Sequence, residues 1–235
     1  MGKVTVQAFT TKNPISLAGM ESGICWGADT TNDEKNFKRG LDCLRSDHGR
    51  TLEYAQVYLV LEEYSARVIR EFTRHLGGDP TYLQESTRYV NYQDFSYFTP
   101  PSIRQNEKAN QIYQDYMKQT ALTLQQLEQE CGIKREDAAN ILPLGMSTKI
   151  VYRTNLRMLI DMAKVRKCTR AYHEFRELFS DIETALSQYS KEWSYLINEE
   201  HIFKRKCEFL NRCNEKNSCG YFNDLKLKEA GESNE

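Results

Sequence analysis

A chain of 235 residues with 40% hydrophobic side chains can bury one sizeable core, and a formal net charge of −1 leaves no general basic face for nucleic acid. Mean hydropathy is −0.69 and no long apolar run occurs, so no membrane-crossing helix is expected. The opening MGKVTVQAFTTK lacks an apolar stretch and carries Val6 where a myristoylation pattern needs Ser or Thr, so cytoplasmic residence is expected.

In chain order, VTVQAFT (4–10) reads as a first strand. YAQVYLVLEEYS alternates, with Val57, Leu59 and Leu61 facing one way and Tyr58 and Val60 the other, so it is a strand. SARVIREFTRHLGG follows as a helix, with Ser65 as N-cap and Gly77-Gly78 as its stop. STRYVNY (86–92) is expected as another strand. NEKANQIYQDYMKQTALTLQQLEQECG is a long helix with a stripe of Ala109, Ile112, Tyr113, Tyr116, Met117, Leu124 and Leu127. KREDAANIL is a short helix closed by Pro143, and STKIVYRT is a strand. NLRMLIDMAKVRKC and AYHEFRELFSDIETALSQYSKEW are helices, and KLKEAGESNE frays. This mixed order predicts an α+β fold, with helices against a mainly antiparallel sheet. Residues 1–203 are expected as one domain, with 204–235 as a charged tail.

Seven cysteines, an odd number, predict reduced thiols. Cys25, Cys43, Cys131 and Cys168 read as small core residues. Cys207, Cys213 and Cys219 stand six apart, with His201 six before the first; lacking a close pair, they predict no metal site.

Arg67, Arg70 and Arg74 are spaced to share one helical face that runs into His75 and a Gly-Gly turn, with Ser86, Thr87 and Arg88 beyond. Guanidinium forks, hydroxyls and close backbone suit a phosphorylated small molecule; a solvated face paired with Glu62, Glu63 and Glu71 is the plainer alternative. Asn155 and Arg166 lie three turns apart on one helix, roughly 16 Å, with Met158, Leu159 and Met162 between them. They could hold the two ends of an extended ligand, or Asn155 could simply cap and Arg166 snorkel. His48 sits in a polar loop, where a lone histidine usually faces solvent, and His173 reads as a helix-surface residue. No nucleophile motif, P-loop or dinucleotide fingerprint occurs, so an enzyme built on this chain would rely on a cofactor.

RVIREFTRHLGGDPTYLQESTRYVNY resembles the signature of the flavin-dependent thymidylate synthases. The usual form there is Arg-His-Arg, seven residues, then Ser-x-Arg-Tyr; this chain resembles a divergent branch with GG-x-P-T-x-L-Q-x-S-T-R-Y after the histidine. LPLGMSTKIVYRTNLRMLIDMAKVRKCTRAYHEF resembles the second conserved block, and HGRTLEY a His-x-x-x-x-Glu segment.

The resemblance implies conversion of dUMP to dTMP, with methylenetetrahydrofolate as carbon donor, FAD as hydride source and NADPH as its reductant. It implies a homotetramer with shared sites. It places His48, Arg50, Arg74, His75, Leu76, Gln84, Asn155, Arg157 and Asp161 at the flavin. It places Arg70, Glu71, Arg74, Gln84, Glu85, Ser86, Thr87 and Arg88 at the nucleotide, with Arg88 on its phosphate and Arg166 as the catalytic cation at the uracil edge.

There are departures from that pattern. Leu76 replaces the last arginine of the triplet, Gln84 stands for a glutamate, and the turn is two residues longer. Ala139 replaces a nucleotide-binding arginine that Arg67 or Lys149 could supply, and Asp161 is charged where the family is commonly neutral. They leave two alternatives open: a related flavin- and folate-dependent transferase acting on a pyrimidine nucleotide such as dCMP, and a non-catalytic nucleotide-binding relative.

Overall fold

The computed structural model describes residues 2–75 and 80–232. Its elements are β1 (Lys3–Val6), α1 (Pro14–Cys25), α2 (Asp33–Arg45), α3 (Gly49–Leu52), β2 (Gln56–Ser65), α4 (Ala66–Phe72) and β3 (Thr81–Gln84). There follow α5 (Pro101–Arg104), α6 (Glu107–Gln125), α7 (Arg135–Ala138), β4 (Ser147–Asn155) and α8 (Leu156–Arg166). The chain ends with α9 (His173–Tyr189), α10 (Lys191–Asn198), α11 (Lys206–Phe209) and α12 (Tyr221–Glu232). The α+β expectation holds. Contacts divide the chain into two units, one from residues 2–7, 58–75 and 80–153, the other from 8–57 and 154–232.

The first unit is built on a four-stranded sheet in the order β1-β2-β4-β3. β1 runs antiparallel to β2 with Val4 opposite Leu61, and β3 antiparallel to β4 with Leu83 opposite Val151. The alternation read in β2 is real: Val57, Leu59 and Leu61 are all fully buried. Ser65 caps α4 by accepting from Val68 N at 3.1 Å, as expected. Phe72 closes that helix edge-on against Tyr152 of β4. A separate cluster of Tyr92, Phe95, Met117, Leu124, Ala138 and Met146 carries α6 and α7. Within the expected α6 stripe, Met117 and Leu124 are buried, but Ile112 and Tyr116 are exposed at 62% and 59%.

Several boundaries differ from expectation. β1 ends at Val6 rather than at Thr10. Residues 86–92 form no strand. Ser86 Oγ accepts from Arg88 N, and Ser86 O accepts from both Tyr89 N and Val90 N, so local hydrogen bonds fold these residues into a turn. The strand is β3, immediately after Pro80. α4 ends at Phe72, so Arg67 and Arg70 share its face, while Arg74 lies in the following turn. The Gly77-Gly78 stop falls outside the described residues.

In the second unit, α1 packs along α2. The contact needs glycine on both sides: a Cβ on Gly19 would lie 1.8 Å from Asn36 O, and one on Gly40 2.0 Å from Ile15 O. Asn13 makes no side-chain cap on α1. The cap comes instead from Glu192 of α10, whose carboxylate accepts from Ile15 N at 2.7 Å, Ser16 N at 3.0 Å and the Ser16 hydroxyl. The single helix expected over 171–193 breaks at Ser190, which is extended (φ −155°, ψ 164°) and caps α10 through Trp193 N. Phe175, Phe179, Ile182, Leu186 and Trp193 form the core beneath. The expected fraying of 226–235 gives way to α12 through Glu232. Of the four cysteines expected in the core, Cys43 is buried and Cys168 half-buried, but Cys25 and Cys131 are exposed, because they end α1 and the π turn Gln126–Glu130.

Candidate functional site

In the first unit, α4 presents Arg70 to solvent and half-buries Glu71. Backbone hydrogen bonds from Arg74 N to Glu71 O and His75 N to Phe72 O continue the turn, leaving Arg74 exposed and His75 half-buried. Leu76 lies outside the described residues. β3 delivers Gln84, whose Nε2 donates to Thr148 Oγ1 at 3.4 Å, and Glu85 N bonds Lys149 O at 2.8 Å. The chain then enters the Ser86-Thr87-Arg88 turn. Arg88 is held by Glu136 of α7 at 2.8 Å, with both side chains well exposed.

Two cations behave differently from the sequence reading. Lys149, a candidate to replace the arginine absent at Ala139, is committed to Glu62 at 2.5 Å. That partner raises the lysine pKa and lowers the carboxyl's. Arg135, which the sequence reading passed over, reaches the same turn: its Nη1 donates to Tyr89 O at 2.9 Å. No sequence signal marks it, since the two residues are far apart along the chain. Behind the turn, a cavity of about 270 Å³ is lined by Glu62, Glu63, Glu85, Tyr92 and Lys149. Burial, with the Glu85 carboxylate beside it, pushes the Tyr92 phenol up to about 12.

In the second unit, α3 and the start of α8 bring four expected residues together. His48 precedes α3 and meets the Trp26 ring edge-on at 6.5 Å. Arg50 and Arg157 both reach Glu53, at 3.5 and 3.4 Å. Arg157 lies so close across Gly49 that a Cβ there would stand 2.3 Å from the guanidinium. Asp161 pairs with Lys164 at 2.8 Å. Arg157, Asp161, Lys164 and Gly49 face a cavity of about 390 Å³. Glu53 was not among the expected site residues, although it is the last member of the His48–Glu53 segment. Asn155 is buried, and its Oδ1 accepts from Met158 N at 3.0 Å, so it caps α8. At the other end of α8, Arg166 lies over the Phe175 ring at 4.4 Å.

This donor set fits a diphosphate. Two guanidiniums share one carboxylate, so a net positive charge remains at an exposed surface beside a cavity. In the first unit, the Ser86-Thr87-Arg88 turn expected at the nucleotide places hydroxyls next to arginine, while the Arg88, Tyr89 and Val90 N–H groups are taken up by Ser86.

Two solved structures of Thymidylate Synthase X (ThyX) from Helicobacter pylori, each with FAD and dUMP, match this fold. One covers 87% of this chain and all of that chain at TM-score 0.62 and 19% identity; the other covers 81% and 97% at TM-score 0.61 and 20% identity. That defines the fold class. In sequence, the flavin-dependent thymidylate synthase of Clostridium tetani is 27% identical over 194 residues, 73% of this chain and 77% of the relative. That of Pyrococcus furiosus is 31% identical over 195 residues, 76% of each chain. The family model described as "Thymidylate synthase complementing protein" matches residues 5–189, and the chain belongs to that family.

Proposed function

We propose that this chain is a working flavin-dependent thymidylate synthase, converting dUMP to dTMP with methylenetetrahydrofolate as carbon donor and NADPH as the reductant of its FAD. The observation that carries the reading is the joint presence, in family order, of Arg74-His75, the Ser86-Thr87-Arg88 turn and Asn155-x-Arg157 leading to Arg166. FAD supplies the hydride when bound. Arg50 and Arg157 hold its diphosphate, helped by His48, Arg74, His75, Leu76, Gln84, Asn155 and Asp161. Ser86, Thr87 and Arg88 hold the dUMP phosphate, with Arg70, Glu71 and Glu85 lining the nucleotide. Arg166 stabilises negative charge that develops at the uracil edge. The protein acts as a cytoplasmic homotetramer with shared sites and has no nucleic-acid or membrane partner. Residues 1–203 carry the catalytic fold, and 204–235 form an appended segment.

The test is the visible spectrum of the purified protein before and after FAD, with dUMP then titrated in. Bound flavin whose bands shift with dUMP is the expected outcome. A colourless protein that takes up no FAD sinks the reading and leaves the non-catalytic relative. Turnover assays with dUMP and dCMP then separate the two transferase readings. Arg166→Ala should abolish turnover while FAD still binds; near-normal turnover removes its catalytic role.

A further inference from the structure

The tip of the Ser86-Thr87-Arg88 turn is not placed by burial. Arg88 and Tyr89 are exposed, Tyr89 at 76%, and the first buried side chain after them is Tyr92. Fixing exposed backbone costs conformational entropy that some contact has to offset. The turn's own bonds, from Tyr89 N and Val90 N to Ser86 O, set its shape but not its position in the unit. The bond from Glu85 N to Lys149 O secures its start on β4. Its exit is secured by Arg135 of α7, whose Nη1 donates to Tyr89 O at 2.9 Å.

Arg135 is itself braced. After the π turn Gln126–Glu130, Gly132 at φ +67° lets the chain fold back, and Ile133 N bonds Leu127 O at 2.9 Å. α7 then begins at Arg135, beside Glu128: Glu128 Oε2 lies 3.7 Å from Arg135 Nε, with side-chain exposures of 10% and 35%. The same oxygen accepts from Gln93 Nε2 at 3.0 Å, and Gln129 Nε2 donates to Gln93 Oε1 at 3.1 Å. Tyr89 and Gln93 are thus both tied to Glu128, one through Arg135 and the other directly. The neighbouring Arg88–Glu136 pair is far more exposed, at 63% and 41%, and exposed pairs contribute little. A nearly buried carboxylate is screened less, so Arg135 on Glu128 is the firmer of the two holds.

We propose that Arg135 is a positioning residue for the nucleotide: it fixes the Ser86-Thr87-Arg88 turn at the place where hydroxyls and guanidinium meet the phosphate. It touches no ligand and acts through the Tyr89 carbonyl. The inference rests on the nucleotide reading given under Proposed function. Without Arg135 the turn keeps its internal hydrogen bonds but loses its outer anchor. Nucleotide binding must then order the turn, and affinity falls. The chemical step on bound nucleotide is left alone, because Arg135 does not meet the reacting ring.

The test measures the dUMP dissociation constant of the full chain with FAD by equilibrium dialysis, and turnover at saturating dUMP beside it. Arg135→Ala should weaken dUMP binding about tenfold, as for one lost charge-assisted hydrogen bond, and leave FAD affinity and kcat within about twofold. Glu128→Gln keeps an acceptor for Gln93 but withdraws the charge beside Arg135. It should weaken dUMP binding about threefold and add nothing further to Arg135→Ala. Arg135→Lys, which can still donate to Tyr89 O, should fall between wild type and Arg135→Ala. Unchanged dUMP binding in Arg135→Ala, a parallel loss of FAD such as a merely structural role would give, or full additivity of the two substitutions would each overturn the proposal. If Arg135→Ala does not fold, unchanged dUMP binding in Glu128→Gln overturns it instead. A wild type that binds no dUMP overturns the nucleotide reading and this proposal with it, whereas variants that bind as wild type does overturn this proposal alone.

Discussion

Arg88 donates its Nε to Glu136, so that carboxylate competes with a phosphate for the guanidinium. Both groups are well exposed, so the ion pair contributes at most about 1 kcal/mol. Glu136→Ala should therefore tighten dUMP binding by roughly two- to fivefold, as read by titration of the flavin spectrum. Weaker binding would show instead that Glu136 positions the guanidinium. A second residue reports on the cavity behind the same turn. Tyr92 stays neutral to about pH 12, while a phenol in the unfolded chain ionises near 10. Between those values the native state keeps a proton that the unfolded state has lost. The stability Tyr92 contributes is thus fully present below pH 10 and is lost as pH rises toward 12. In an ultraviolet titration, one of the 14 tyrosines should ionise about two pH units late, and Tyr92→Phe should remove that late step. A titration unchanged in Tyr92→Phe would assign the late phenol elsewhere.

At the scale of elements, α8 carries Arg157, Asp161 and Arg166, and Asn155 begins it. Asn155→Ala should cost about 1 kcal/mol in urea denaturation, because Met158 N loses its acceptor. Asn155→Asp keeps an accepting oxygen and should fold normally. If Asn155→Asp nonetheless loses FAD affinity, the amide nitrogen serves the cofactor; if FAD affinity survives, the residue's role is the cap alone. What the sequence disclosed follows the range of the forces involved. β2 was legible because alternation is written in adjacent residues, and Ser65 because a cap is a three-residue event. The Ser86 turn was misread as a strand because β-branched and aromatic side chains advertise a strand while a single hydroxyl decides otherwise. α1 left little trace: two glycines weaken its propensity, and its support comes from α2 and Glu192. The site divides in the same way. Its arginines, histidines and hydroxyls stand in short motifs, whereas Glu53, Arg135 and Glu136 matter only through partners that folding brings to them.

For the whole molecule, Glu192 is the residue whose loss should be felt most widely. Its carboxylate holds two backbone N–H groups and a hydroxyl at the start of α1, and Ile15 there is buried. Glu192→Ala leaves those donors without their acceptor, and should lower unfolding free energy by roughly 2–3 kcal/mol. Glu192→Gln, which keeps one accepting oxygen but no charge, should lose less. Equal stability in all three proteins, measured by urea denaturation, would show that water replaces the carboxylate at no cost.

The same bond also orders events during synthesis. Ile15 and Glu192 are 177 residues apart, and Trp193 and Tyr189 likewise return to Thr11 and Thr10 near the beginning. A ribosome must make about four-fifths of the chain before any of these partners exists. Until then α1 has been made but has no cap, and the first residues after β1 wait with their carbonyls unclaimed. Nascent chains stalled before codon 189 should leave this end open to a protease or a chaperone, and chains released after codon 200 should not.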